Sequence, residues 1–122
     1  MAYTVRTEGS TQATPPVSSG TQVPSAAYQL PFILSDSYTL VNPSPLKLAA
    51  AVDFVINLGM TSCKMILLRT TATVTLKVTT ALEAEQVVRC GGFLLLKADT
   101  TNPITGLKIS GTADGEILIC GE

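Results

Sequence analysis

The stretch TVTLKVT, residues 73–79, decides the fold class because its side chains alternate strictly between polar and apolar. Val74, Leu76 and Val78 fall on one side of an extended chain, with hydroxyl or charged side chains between them. A period of two residues is typical of a strand that buries one face and turns the other to water. The stretch therefore predicts a β-strand in a half-buried β-sheet.

Short apolar segments separated by turn residues continue on both sides of this strand, at a spacing of roughly 8–12 residues. No segment keeps a helical period over a dozen residues. Residues 46–51 fit either a strand or a short helical turn, and residues 81–85 fit one helical turn. We expect strands at residues 30–34, 38–41, 52–57, 63–69, 73–79, 86–89, 93–98, 104–110 and 116–120, with turns at 35–37, 42–45 and 111–115. The pattern predicts an all-β fold, a β-sandwich or jelly roll of about eight short antiparallel strands.

The N-terminal residues 1–29 differ from the rest because Ser, Thr and Pro replace most large apolar side chains. Such a segment buries too little apolar area to offset its ordering entropy alone. We therefore predict an extended Ser/Thr/Pro-rich N-terminal arm at 1–29 and a β-sandwich domain at 30–122. The alternative is a disordered tail. The arm is expected to contact a neighbouring subunit through its larger side chains, which are Tyr3, Val5, Pro15, Pro16, Val17, Val23, Pro24 and Tyr28.

Composition excludes several kinds of site. The chain has no His, which removes Ser-His and Cys-His catalytic pairs, histidine metal ligands and a histidine pH switch. Its net charge is −1, and its eight basic residues are scattered, so no nucleic-acid footprint is visible. The three cysteines, Cys63, Cys90 and Cys120, are odd in number and far apart, which favours small apolar core residues over a disulfide framework or a zinc site.

Candidate catalytic and ligand motifs are weak. Gly91-Gly92 and the glycines at 106 and 111 lack the following Lys-Ser/Thr of a phosphate-binding loop, so turn glycines are the better interpretation. No calcium-type Asp-x-Asp-x-Asp run occurs. We predict no enzyme activity, no cofactor, no metal and no small-molecule substrate.

The mean hydropathy of +0.38 is high for a soluble monomer. The apolar stretch at 46–68 contains two lysines and an aspartate, so it does not predict a membrane span. Exposed apolar surface instead indicates a protein partner, and a second copy of the chain is the most common partner.

The C-terminal part of the chain resembles a known group of proteins. GGFLLL at 91–96, NPITGLKISGTA at 102–113 and EILICGE at 116–122 are similar to the last strands of small β-sandwich virion proteins of tailed bacteriophages. The resemblance covers residues 91–122, and the rest of the chain matches in style only. It implies a head decoration (cement) protein, often a homotrimer. Such a protein is made in the host bacterial cytoplasm and braces the major capsid protein in the virion.

Two further functions stay open. Related phage proteins serve in the tail, the neck or the fibre base, and a jelly roll can be a receptor- or carbohydrate-binding module. The second alternative predicts aromatic and carboxylate side chains clustered at one loop end, whereas this chain has three Tyr, three Phe and no Trp.

Overall fold

The structure, a computed structural model, describes residues 2–13 and 28–122. None of these residues is helical, and none belongs to a helix that is long and apolar enough to cross a membrane. The described strands are β1 (Tyr3–Ala13), β2 (Tyr28–Tyr38), β3 (Leu40–Val55), β4 (Cys63–Thr70), β5 (Val74–Thr80), β6 (Gln86–Cys90), β7 (Phe93–Lys97) and β8 (Ile104–Gly121). The predicted all-β, sandwich-like class is confirmed.

The chain divides into two compact units, and the smaller one is Thr4–Ser37. In it, β1 and β2 form a two-stranded sheet. The ring of Phe32 lies over Gly9, where a Cβ atom would come within 2.8 Å of the ring. An aromatic ring that covers a strand glycine in this way supplies the contact area that the glycine lacks.

The larger unit is organised around β8, which is 18 residues long. On one side β8 pairs antiparallel with β3 along nearly its whole length, from Leu40 opposite Gly121 to Val55 opposite Lys108. On its other side, the first part of β8 pairs antiparallel with β5. The last part of β8 pairs with β4. Residue numbers decrease along β8 as they increase along β4, from Cys120 opposite Met65 to Gly115 opposite Thr70.

Strands β4 and β5 therefore lie end to end beside β8. Strands β6 and β7 continue the same arrangement outward, because β6 pairs antiparallel with β5 and β7 pairs antiparallel with β4. We call β7, β4, residues 115–121 of β8 and residues 40–46 of β3 the first half-sheet. We call β6, β5, residues 104–110 of β8 and residues 54–55 of β3 the second half-sheet.

All these strands are interrupted along one line between the half-sheets. The register of β3 shifts between Ala50 and Phe54, and Gly111 of β8 has a φ of 144°, a conformation that favours glycine. The 71–73 segment separates β4 from β5, and Gly91-Gly92 separates β6 from β7. Backbone hydrogen bonds connect neighbouring segments along this line. The Thr70 N–H donates to the Gly92 carbonyl at 2.8 Å, and the Thr71 N–H donates to the Asp114 carbonyl at 2.8 Å.

The two half-sheets share one hydrophobic core. From the first half-sheet it includes Ile66, Leu68, Ile117 and Ile119, and from the second it includes Val74, Leu76, Val78, Leu107 and Ile109. At the far end from the bend, a parallel bridge joins Cys63 to Ile104, so strands of both half-sheets meet there. The alternation predicted for 73–79 is confirmed, since Val74, Leu76 and Val78 are all buried.

Three predicted turns are wrong. The chain at 35–37 stays in β2, the chain at 42–45 stays in β3, and the chain at 111–115 is a bend inside β8. Among the described strands β3 pairs with β8 alone, so Pro43 and Pro45 can turn their nitrogen atoms to the free edge and break no ladder hydrogen bond. Residues 104–121 thus form one bent strand rather than the strand pair that the resemblance implied.

Other local expectations also need correction. Val52 and Phe54 are 71% and 56% exposed, although the alternation at 52–57 predicted them to be buried with Ile56. The register shift in β3 falls just before Phe54 and leaves Val52 without a ladder partner, while Phe54 pairs with Ile109 at the start of the resumed ladder. Residues 81–85 form no helical turn, and residues 46–51 are strand.

Residues 30–34 belong to β2 in the smaller unit, and the larger unit comprises Tyr38–Glu122 together with the N-terminal residues up to Tyr3. The first part of the predicted arm is strand β1, which pairs with β2. Residues 14–27 of that arm lie outside the described residues.

Close strand packing at the bend leads to the first prediction. A Cβ atom on Gly115 would collide with the backbone carbonyl of Arg69, whereas a Cβ on Gly91 would meet nothing within 4 Å. Gly115→Ala should therefore lower the free energy of unfolding by at least about 2 kcal/mol, because backbone has to move. The matched control, Gly91→Ala, should stay within about 0.5 kcal/mol of the unaltered chain in urea titrations. Equal stabilities of the two variants would contradict the described packing at the bend.

Candidate functional site

The interior of the larger unit offers no polar chemistry. No polar or charged residue is buried in the part of the chain that the structure describes. Within those residues no three His, Cys, Asp or Glu side chains come together in a group that could hold a metal ion. The candidate site must therefore be a surface.

The cysteines are the only buried nucleophilic groups among the described residues, and all three are free. Burial raises the pKa of Cys63 to about 11, and burial raises the pKa of Cys120 to about 11 as well. A thiol with so high a pKa holds very little thiolate near neutral pH, and the thiolate is the reactive form. The cysteines are therefore core residues, as their spacing predicted.

The outer face of the second half-sheet is suited to water. Lys77 is bonded to Asp53 at 2.7 Å, and Lys108 is bonded to Glu85 at 3.2 Å. Hydrogen bonding to Asp53 raises the pKa of Lys77. Apart from Val55 and Val87, the neighbouring outward positions are polar or glycine: Thr75, Thr79, Arg89, Thr105, Gly106 and Ser110. The positive charge on this face is thus largely compensated within the chain.

The outer face of the first half-sheet is apolar instead. One row of paired residues crosses it from β7 to β3 as Leu95, Leu67, Leu118 and Pro43. These side chains are half-buried or exposed. An apolar surface of this kind indicates contact with another molecule.

A second row crosses the same face as Phe93, Arg69, Glu116 and Pro45. Arg69 and Glu116 form an ion pair of 3.4 Å, with both side chains 72% exposed. Phe93 at the end of the row is 58% exposed. The two rows line a groove of about 560 Å³.

One end of this face is already covered within the larger unit. Met65 and Cys120 point outward by register but are 2% and 0% exposed. The hydroxyl of Tyr38, itself buried, donates to the Met65 sulfur at 3.8 Å. The open part of the face is therefore limited to the two rows, which we call the apolar face: Pro43, Pro45, Leu67, Arg69, Phe93, Leu95, Glu116 and Leu118.

The smaller unit exposes its side chains to an unusual degree. No side chain described in Thr4–Ser37 is buried. Leu30 is 65% exposed and Ile33 is 63% exposed. Arg6 and Glu8 form an exposed ion pair of 3.1 Å on β1.

The structure describes three of the eight predicted arm residues. Tyr3 begins β1 and is 57% exposed, Val5 is half-buried in the same strand, and Tyr28 begins β2. The remaining predicted residues, Pro15, Pro16, Val17, Val23 and Pro24, lie outside the described residues.

Sequence reasoning missed the apolar face. The available signal was the nearly unbroken apolar run of β4, in which Met65 and Leu67 face away from the core while Ile66 and Leu68 face into it. A strand that is apolar on both sides predicts cover on both sides. Pro43 and Pro45 were interpreted as a turn, which concealed their position on this face.

The chain was also compared with known proteins. No protein-family model, no curated protein and no solved structure matches it.

Burial of the thiols predicts how they react. Iodoacetamide at pH 8 should leave Cys63, Cys90 and Cys120 unmodified in the folded protein and modify all three in urea, with peptide mass spectrometry as the readout. Rapid modification of any of them in the folded protein would contradict their described burial.

The same pKa shifts predict a loss of stability in alkali. A thiol in the unfolded chain has a pKa of about 8.5, whereas Cys63 and Cys120 have raised pKa values of about 11 in the folded chain. Their contribution to stability is therefore fully present below about pH 8.5 and is lost as the pH rises towards 11. The double variant Cys63→Ala/Cys120→Ala should lose less stability than the unaltered chain over this interval in urea titrations.

Proposed function

We propose that this chain is a structural subunit of a tailed-phage virion, and most specifically a capsid decoration protein that associates with its own copies and with the major capsid protein. The observation that carries the proposal is the exposure of the smaller unit, in which no described side chain is buried. A two-stranded sheet alone is at best marginally stable in water. Contact with a neighbouring subunit would supply the missing burial.

The two-stranded sheet carries one exposed aliphatic side chain on each of its two faces, because Leu30 and Ile33 are three residues apart in β2. Leu30 exposes 65% of its surface and Ile33 exposes 63%. Burying one aliphatic side chain of this size stabilises a contact by roughly 1.5–3 kcal/mol. The unit therefore resembles an arm that gains its stability from the surface on which it lies.

The virion setting is supported by the resemblance of residues 91–122, which form β7, the following loop and β8. A subunit that binds only the assembled head lattice stabilises that lattice by mass action, and no catalytic step is required. Among the described residues no buried residue is charged, which is compatible with this passive role. Structural proteins of the tail, the neck and the fibre base also act by binding other virion proteins. The experiment below therefore determines the location within the particle.

The test follows incorporation into particles. A tagged chain is expressed in the host during phage growth, and purified virions are examined by immunogold microscopy and quantitative blotting. We expect label on heads for the unaltered chain. Leu30→Asp/Ile33→Asp places a charge on each face of the sheet, so it should reduce incorporation by at least about tenfold whichever face lies against the neighbouring subunit.

Leu82→Asp is the matched control, since Leu82 is 74% exposed and lies outside the smaller unit. This control should be incorporated normally. Label on tails alone would support the tail, neck or fibre-base alternative. Particles without label would contradict a virion role altogether.

A further inference from the structure

The apolar face has an internal symmetry. Its strands lie in the order β7, β4, β8, β3, so the midline of the first half-sheet runs between β4 and β8. One row across that midline reads Phe93, Arg69, Glu116, Pro45. From either end, the row presents an apolar side chain and then a charge, and the two charges have opposite sign.

Two copies can be related by a two-fold axis that runs parallel to the strands along this midline. Each position in one copy then faces the position that lies equally far on the other side of the midline in the second copy. Arg69 of one copy then faces Glu116 of the other, on both sides of the axis. Phe93 faces Pro45 in the same way, also twice. The second row matches without any charge, because Leu67 faces Leu118 and Leu95 faces Pro43.

We propose that the apolar face is a two-fold contact between two copies of this chain, packed sheet against sheet. Isologous contacts of this kind need a self-complementary surface, and both rows satisfy that requirement. Sheets that pack face to face with aligned strands bury alternate residues of both inner faces, as the two rows require.

The second half-sheet shows that this match is not a general property of the fold. There, Lys77 and Lys108 are partners across β5 and β8. The same rotation about the midline of that half-sheet would place Lys77 of one copy against Lys108 of the other. Asp53 and Glu85 already pair with these lysines within the chain, so the rotation brings neither lysine a new partner of opposite charge, and the two outer faces differ in their capacity for self-association.

A second copy also explains the charges on the apolar face better than an unrelated apolar partner does. Arg69 and Glu116 are both highly exposed, and a purely apolar surface laid over them would desolvate two charges without new partners. A second copy brings one carboxylate to each guanidinium. The inference deepens the proposed assembly role by identifying one contact between copies, but self-association is measured on purified protein, so its failure leaves the particle experiment unaffected.

The test uses charge reversal and mixing. Arg69→Glu gives a face with two acidic side chains, and Glu116→Arg gives a face with two basic ones. Each variant alone should associate at least about tenfold more weakly than the unaltered chain, because like charges meet on both sides of the axis. An equimolar mixture should restore association as a heterodimer, since the acidic face then meets the basic face. Sedimentation velocity and light scattering give the masses.

Three controls accompany the mixture. The double variant Arg69→Glu/Glu116→Arg should again form homodimers, and Lys77→Glu on the second half-sheet should associate like the unaltered chain. Phe93→Glu, which leaves the ion pair intact, should weaken association in the same way as the single reversals. Circular dichroism and urea midpoints establish that each variant is folded.

Several results would overturn the inference. They are a monomeric unaltered chain at all concentrations, single reversals that associate normally, or a mixture that stays monomeric. The expected mass is two chains, or six if the three-fold contact implied by the resemblance forms as well. A mass of three chains that is insensitive to both single reversals would also overturn it.

Discussion

The larger unit depends on one constraint, which is that every strand beside β8 is interrupted at the same level. β8 crosses this level through Gly111, β3 crosses it with a register shift, and the neighbouring strands are divided there by 71–73 and by Gly91-Gly92. Because the interruptions coincide, the whole sheet can fold over itself without breaking its ladders elsewhere. The two halves then bury one core that needs no polar residue.

Folding one sheet in half also gives the molecule two outer faces whose character is set by the same strands. In β5 the outward residues are Thr and Lys, so the second half-sheet faces water. In β4 the outward residues include Met65 and Leu67, and the first half-sheet is left with an apolar face that Tyr38 covers only at one end. The register that builds the core therefore also determines which residues stand side by side on the surface, including Arg69 and Glu116.

Much of the fold could be predicted from the sequence, because alternation such as that of 73–79 reports burial directly. The all-β class and the strands β4 to β7 followed from local pattern. The errors occurred where tertiary context overrides a local signal. Pro43 and Pro45 stop a central strand but are tolerated on a free edge, and Gly111 ends a hairpin in one context and bends a continuous strand in another. The apolar face was missed because it is formed by four separate strands, and sequence alone does not give their register.

The central claim is that the apolar face is covered by other protein when the chain assembles. Hydroxyl-radical footprinting tests it most directly, because the chain carries a matched pair of aromatic probes: Phe93 on this face is 58% exposed and Phe54, outside it, is 56% exposed. The two side chains should oxidise at similar rates in dilute monomer. On association, the oxidation of Phe93 should fall several-fold while that of Phe54 stays constant. Equal rates for both residues in the assembled state would contradict the account.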